Sequence, residues 1–158
     1  MEQHFSKLVI DTTKNVFNSM VFMDVSGAEC GGDFKIEGNH LTALVGFAGV
    51  YMGLAVIHCS MDFARKIGAA MLKTGPDKLT NEDVRDALSE ISNMISGHFK
   101  AELAKMLNVE TQVFEQSVPS VISGGDYETH TITDAPRYFC KFSTGSDTFY
   151  VELAMKKV

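Results

Sequence analysis

Two residues have the types and spacing to do chemistry together. Glu90 and Asn93 stand three apart, inside a run whose apolar residues repeat at helical spacing. At about 100° per residue, that places both on one side of a helix, a turn apart. Asp86 and Gly97 extend the same side, so the four form one stripe. They put a carboxylate and a carboxamide on one face, directed away from the core. Asn is a mediocre mid-helix residue, and a mid-helix Gly costs about 1 kcal/mol against Ala. A helix selected for stability alone has little use for either. The spacing also has a bland reading, because E-x-x-N arises often by chance and most polar stripes are solvated faces.

Other sources of chemistry are thin. No phosphate-binding Gly loop, nucleophile elbow or H-E-x-x-H is present. The histidines at positions 4, 40, 58, 98 and 130 are scattered. His98 and Glu102 have the i, i+4 spacing of shared metal ligands, but a solvated helix pair is the simpler reading. Asp62, Asp83 and Asp86 read as caps or surface. Cys30, Cys59 and Cys140 are odd in number, widely spaced and without C-x-x-C, which suits reduced thiols rather than a disulfide frame or a zinc site. The 158 residues carry a net charge of -6, the wrong sign for nucleic acid or an anionic membrane surface. The polar start, Met1 to His4, has no secretory signature, so a cytoplasmic protein is expected.

The stripe needs a scaffold. Leu8, Val9, Val16, Phe17 and Met20 predict a helix over 5–20, and short β-like runs follow over 21–37. From Gly38 to Met61 there is no Asp, Glu, Lys or Arg, a stretch long enough to span a bilayer. Alternation over Leu41, Ala43, Val45 and Phe47, punctuation by Gly46, Gly49 and Gly53, and no basic flanks predict instead a buried hairpin of two strands joined at a tight Gly turn. Ser60 caps a helix to about Lys73, ended by Gly75-Pro76-Asp77. Thr80 to Asp83 is a capping box opening the longest helix, to about Leu107. Val84, Leu88, Ile91, Ile95, Phe99 and Met106 form its core side, opposite the stripe. Strands are expected at 110–115, 117–122, 137–144 and 147–157, the last two as a hairpin. Helices and strands come in runs, so the class is α+β, in one domain over 1–158.

The segment Ala87 to Lys100 resembles the active-site helix of the chemotaxis phosphatases CheC, CheX and FliY, whose motif is Glu, two residues, Asn, then Gly four residues on, often followed by Lys. Asn15 to Met20, the Gly46–Gly53 hairpin with the helix after it, Val118 to Gly124 and the closing strands are similar to the same family in order and spacing. The resemblance implies a mainly antiparallel sheet, with its Gly-rich central hairpin packed against three helices. CheC-type members carry the motif twice; here the first helix lacks it, which favours the single-site, homodimeric CheX type.

The activity so implied is hydrolysis of the aspartyl phosphate of a CheY-like response regulator. Asn93 would position the water and Glu90 would dock the partner's lysine. Asp86, Gly97 and Lys100 are further docking candidates, Lys100 with no assigned role. The protein would hold no metal of its own, the Mg²⁺ belonging to the regulator. His98 and Phe99 are larger than the residues expected after the family's Gly. Two other readings stand beside it: a non-catalytic adaptor for a response regulator or flagellar switch component, docking through the same stripe, and a small-ligand sensor walled by the hairpin.

Overall fold

The computed structural model describes residues 2–130 and 134–158; Met1, at the head of the polar start, lies outside them. The described elements are α1 (Glu2–Val16), β1 (Ser26–Glu29), β2 (His40–Ala48), β3 (Tyr51–Ser60), α2 (Met61–Leu72), α3 (Asn81–Leu107), β4 (Glu115–Gln116), β5 (Ser120–Gly124), β6 (Arg137–Thr144) and β7 (Asp147–Lys157). All seven strands join one antiparallel sheet in the order β1-β6-β7-β3-β2-β4, with β5 also on β2.

The uncharged stretch is the β2–β3 hairpin, and it is central. Leu41, Ile57 and Cys59 point into the core with Val151, Cys140 and Phe142. That core is closed by Phe5, Val9 and Val16 of α1, Phe63 and Ile67 of α2, and Val84, Leu88, Ile91 and Phe99 of α3. The opposite face of the hairpin is also buried, through Thr42, Val56 and His58. Residues outside the sheet cover it: Phe34 lies edge-on to His58 at 5.2 Å and Tyr127 stacks on His40 at 4.0 Å. Over His40–Ala43 and Ala55–Cys59, covered on both faces, a strand has no place for a charge unless the charge is paired; the tip is open, with Met52 45% exposed. No described helix is long and apolar enough to cross a membrane.

The hairpin glycines answer to packing. Gly49 is outside the left-handed region, so the two-residue turn does not need its backbone freedom. A Cβ there would collide with the Val113 carbonyl and with Phe114, which cross over the turn. Gly53 likewise lets the β7 backbone pass at Ala154.

The helix boundaries follow local chemistry. The Ser60 hydroxyl accepts from Phe63 N at 3.0 Å, and Thr80 and Asp83 exchange two 3.0 Å bonds as a capping box. Lys73, not Gly75, ends α2, in a left-handed conformation at φ 53°. The first helix starts earlier than expected and closes in a π-helical turn at Phe17–Val21. Phe17 there stacks on Phe149 at 4.7 Å, and Phe142 and Phe63 lie 5.0 and 5.3 Å from the same ring.

Three expectations are corrected. Of 21–37, only Ser26–Glu29 forms a strand. The strand expected at 110–115 is a 3-10 turn at Thr111–Val113 followed by the two-residue β4, and the next strand begins at Ser120. Here Phe114 is buried while its neighbours are exposed, so the segment is held by one anchor rather than by an alternating face. Met106 is 39% exposed, and Leu103 and Ala104 take the core positions in that part of α3.

Candidate active site

Helix α3 runs 27 residues because both ends are specified: the capping box at Thr80, and Asn108 in a left-handed cap whose N–H bonds back to Ala104 and Lys105. Its apolar side is fully buried at Val84, Leu88 and Ile91. That anchoring fixes the rotation of the helix and leaves Asp86, Glu90 and Asn93 exposed on the other side, with Gly97 half-buried. The four predicted positions therefore share one face. Lys100, a turn beyond Gly97, is half-buried.

Gly97 is not required by the packing. A Cβ added to it would meet nothing nearer than Gln116 Oε1, at 3.8 Å, an ordinary contact. Its φ is not positive. Within the described residues, an Ala would fit and would favour the helix by about 1 kcal/mol.

The strap after α3 brings in a residue that sequence patterning does not single out. Gln116 Nε2 donates to Asn93 Oδ1 at 2.6 Å and to the Asn93 carbonyl at 3.1 Å. Gln116 is held opposite Phe47 in the β2 ladder. The next residue locks the strap: Ser117 N donates to the Gly46 carbonyl, and Gly46 N donates to Ser117 Oγ, both at 2.8 Å. A two-residue strand has no periodicity to read, so no signal pointed to Gln116.

On the N-terminal side of Asn93, Asp83, Asp86 and Glu90 line a groove of about 270 Å³ whose other wall is Met20, Met71 and Leu72. Leu72 is 56% exposed and Phe22, just after the π turn, is 70% exposed. The face thus has an acidic rim beside an apolar one.

The remaining candidates do not gather. The Glu102 carboxylate takes the Lys105 ammonium at 2.9 Å. Among the described residues no three His, Cys, Asp or Glu are grouped to hold a metal ion. Cys59 and Cys140 are buried free thiols, both pushed up to about 12 by desolvation, and Cys30 is half-buried.

A second polar cluster, also missed from sequence, lies on the sheet face away from the helices. Glu152 is 3% exposed and His58 5%. Glu152 Oε1 accepts from Arg137 Nε at 2.9 Å and also from its Nη2. His58 Nε2 faces Glu152 Oε2 at 3.4 Å, and Nδ1 faces Thr42 Oγ1 at 3.1 Å. Thr42 in turn shares a 2.9 Å bond with Tyr127. Burial pushes the Glu152 carboxyl up, but the bonds from His58 and Arg137 outweigh it and hold the carboxyl below its ordinary range.

Comparison with known proteins follows the same lines. The chemotaxis protein CheX from Desulfovibrio desulfuricans superposes with a TM-score of 0.78 at 26% identity, covering 97% of this chain and 99% of that one. A chain of the CheX–CheY–BeF3–Mg²⁺ complex from Borrelia burgdorferi matches with a TM-score of 0.75 at 20% identity, over 96% and 97% of the two chains. Thermotoga maritima FliY matches at 0.70 and 15%, over 96% of this chain and 86% of that one. No curated protein sequence gives a significant match. The family described as chemotaxis phosphatase CheX matches residues 41–143, from the central hairpin through α3 to the sixth strand. This chain belongs to the CheX family of chemotaxis phosphatases.

Proposed function

We propose that the exposed face of α3 is the active site of a phosphatase acting on the aspartyl phosphate of a CheY-like response regulator. The observation that carries this reading is the unforced polarity of that face. Glu90 and Asn93 lie exposed beside a glycine that the fold does not need. A face that forgoes stability in this way suits the close approach of another molecule. The family membership and the existence of a CheX–CheY complex from another organism support the identity of the partner.

The chemistry asks little of the catalyst. In a loose phosphoryl-transfer transition state the main requirements are position and charge neutralisation. A new bond forms between the water oxygen and phosphorus as the bond from phosphorus to the aspartyl oxygen breaks. The products are inorganic phosphate, which keeps the water's protons, and a free carboxylate. The regulator's Mg²⁺ would neutralise the phosphoryl oxygens. Asn93 Oδ1 has two acceptor sites, of which Gln116 uses one, so the other and the amide hydrogens can orient a water in line. Glu90, a turn back, would pair with a lysine of the regulator. The pair would gain strength once the interface excludes solvent. Asp86 adds charge of the same sign to the groove, and Met20, Met71 and Leu72 add apolar contact. Gly97 would admit the edge of the partner's cleft. Lys100 is given no role. As in the CheX type, the working form would be a homodimer, which sedimentation of the purified protein tests directly.

The deciding experiment is a screen of CheY-type regulators charged with acetyl phosphate, reading phosphate release with and without this protein. Release at least tenfold faster with one regulator is the expected result. Binding without faster release would overturn the catalytic reading in favour of an adaptor.

A further inference from the structure

We propose that Gln116 is a positioning residue that presets Asn93 for catalysis, an inference that rests on the phosphatase reading. The geometry is a two-point clamp. Gln116 Nε2 meets one residue at two points: it donates to Asn93 Oδ1 at 2.6 Å and to the Asn93 carbonyl at 3.1 Å. An unrestrained Asn on an exposed helix face samples several rotamers and both amide orientations. A donor at Oδ1 removes most of that freedom. It selects the oxygen end for the strap side and turns the NH₂ end away from it.

The clamp is only as rigid as its base, and this base is anchored from several directions. Phe114 is buried two residues before Gln116. Gln116 sits in register with Phe47 of β2, and Ser117 bonds Gly46 twice, donating from its N–H to the Gly46 carbonyl and accepting from Gly46 N at its Oγ. The strap can cross the hairpin there because Gly49 has no Cβ to block Val113 and Phe114. Gln116 Oε1 then lies beside Gly97, 3.8 Å from where a Cβ would be. The hairpin thus acts on α3 at a distance: Gly49 and the Gly46 backbone seat the strap, and the strap holds the asparagine. Preorganisation of this kind acts in the transition state and not in docking, because Glu90, a turn away, has no bond to the strap among the described residues.

The test uses a CheY-type regulator whose dephosphorylation the wild-type protein accelerates, charged with acetyl phosphate. Gln116→Met keeps length and bulk but cannot donate; Gln116→Glu places an acceptor against Asn93 Oδ1. Both should lower kcat by about tenfold or more, as misplacement of a reacting group does. KM should stay within twofold, as should affinity for the same regulator loaded with beryllofluoride, and the melting temperature should not change. Turnover equal to or faster than wild type in both variants, with Asn93→Ala inactive, overturns the clamp and leaves the phosphatase reading standing. A fall in kcat accompanied by weaker binding and a lower melting temperature also overturns it, as a merely structural contact. Wild-type rates in Asn93→Ala would also overturn the clamp, by removing Asn93 from the catalytic machinery it is argued to serve.

Discussion

Two clusters of polar side chains in the molecule are opposites. On the sheet face away from the helices, His58, Glu152, Arg137, Thr42 and Tyr127 are joined to one another, and the innermost of them are sealed from water. On the outer side of α3, Asp86, Glu90 and Asn93 stand in solvent, and among the described residues Asn93 alone of the three is held, by Gln116. The first cluster is richer in the residue types associated with catalysis. Its groups are nonetheless spent on each other, because a buried charge must be paired. The second has ordinary groups at a position where stability alone would choose differently. Residue type is thus the weaker guide here; whether a polar group stays exposed with bonding capacity to spare is the stronger one.

Substitutions should separate the two clusters. The largest effect on stability is expected from Glu152→Ala, which strands His58 and Arg137. The loss should be on the order of 3 kcal/mol, toward the low end for a buried pair because Arg137 reaches solvent. Denaturant melts would measure it, and the folded fraction should keep its phosphatase rate. A normal fold with lost activity would break the distinction between the clusters.

Acid sharpens the same point. The folded Glu152 carboxyl sits below its ordinary value of 4.5, so the unfolded chain binds more protons as the pH falls. The stabilisation is complete above that value and is lost as pH drops through the folded pKa. Between pH 7 and pH 3 the wild type should therefore lose more stability than Glu152→Gln, as read by melts at each pH. Equal slopes would contradict the pairing.

On α3 the signs reverse. Glu90→Ala should leave stability within about 0.5 kcal/mol, as exposed sites do. It should weaken binding to a beryllofluoride-loaded regulator by about a hundredfold, the usual scale for losing one member of an interface charge pair. Gly97→Ala is the smallest change. It should raise stability by about 1 kcal/mol while lowering phosphate release, since the helix gains and the partner's approach suffers. A stabilised variant with full activity would mean that Gly97 serves no partner.

Much of this architecture is legible in the sequence wherever a strong period repeats. The α3 cap, the opposition of Val84, Leu88 and Ile91 to Glu90 and Asn93, and the β6 and β7 strands follow from spacing alone. The segment from 109 to 119 does not, because its path is set by one buried ring, Phe114, and by the absence of a side chain at Gly49, far away in the chain. Gln116 was illegible for the same reason: its role depends on a crossing, and a crossing leaves no period. The His58–Glu152 pair was hidden by distance, 94 positions apart and brought together only by the β3–β7 register. Gly49 shows the limit from the other side, since a turn glycine was the right residue at the right place for a different physical reason.

The central claim is that Asn93 works on the partner and not on the fold. The direct measurement is phosphate release from an acetyl-phosphate-charged CheY-type regulator in the presence of wild type and of Asn93→Ala, with a melt of each protein alongside. Asn93→Ala should melt within about 0.5 kcal/mol of wild type and no longer accelerate release. Undiminished acceleration by Asn93→Ala, or its failure to fold, would contradict the claim.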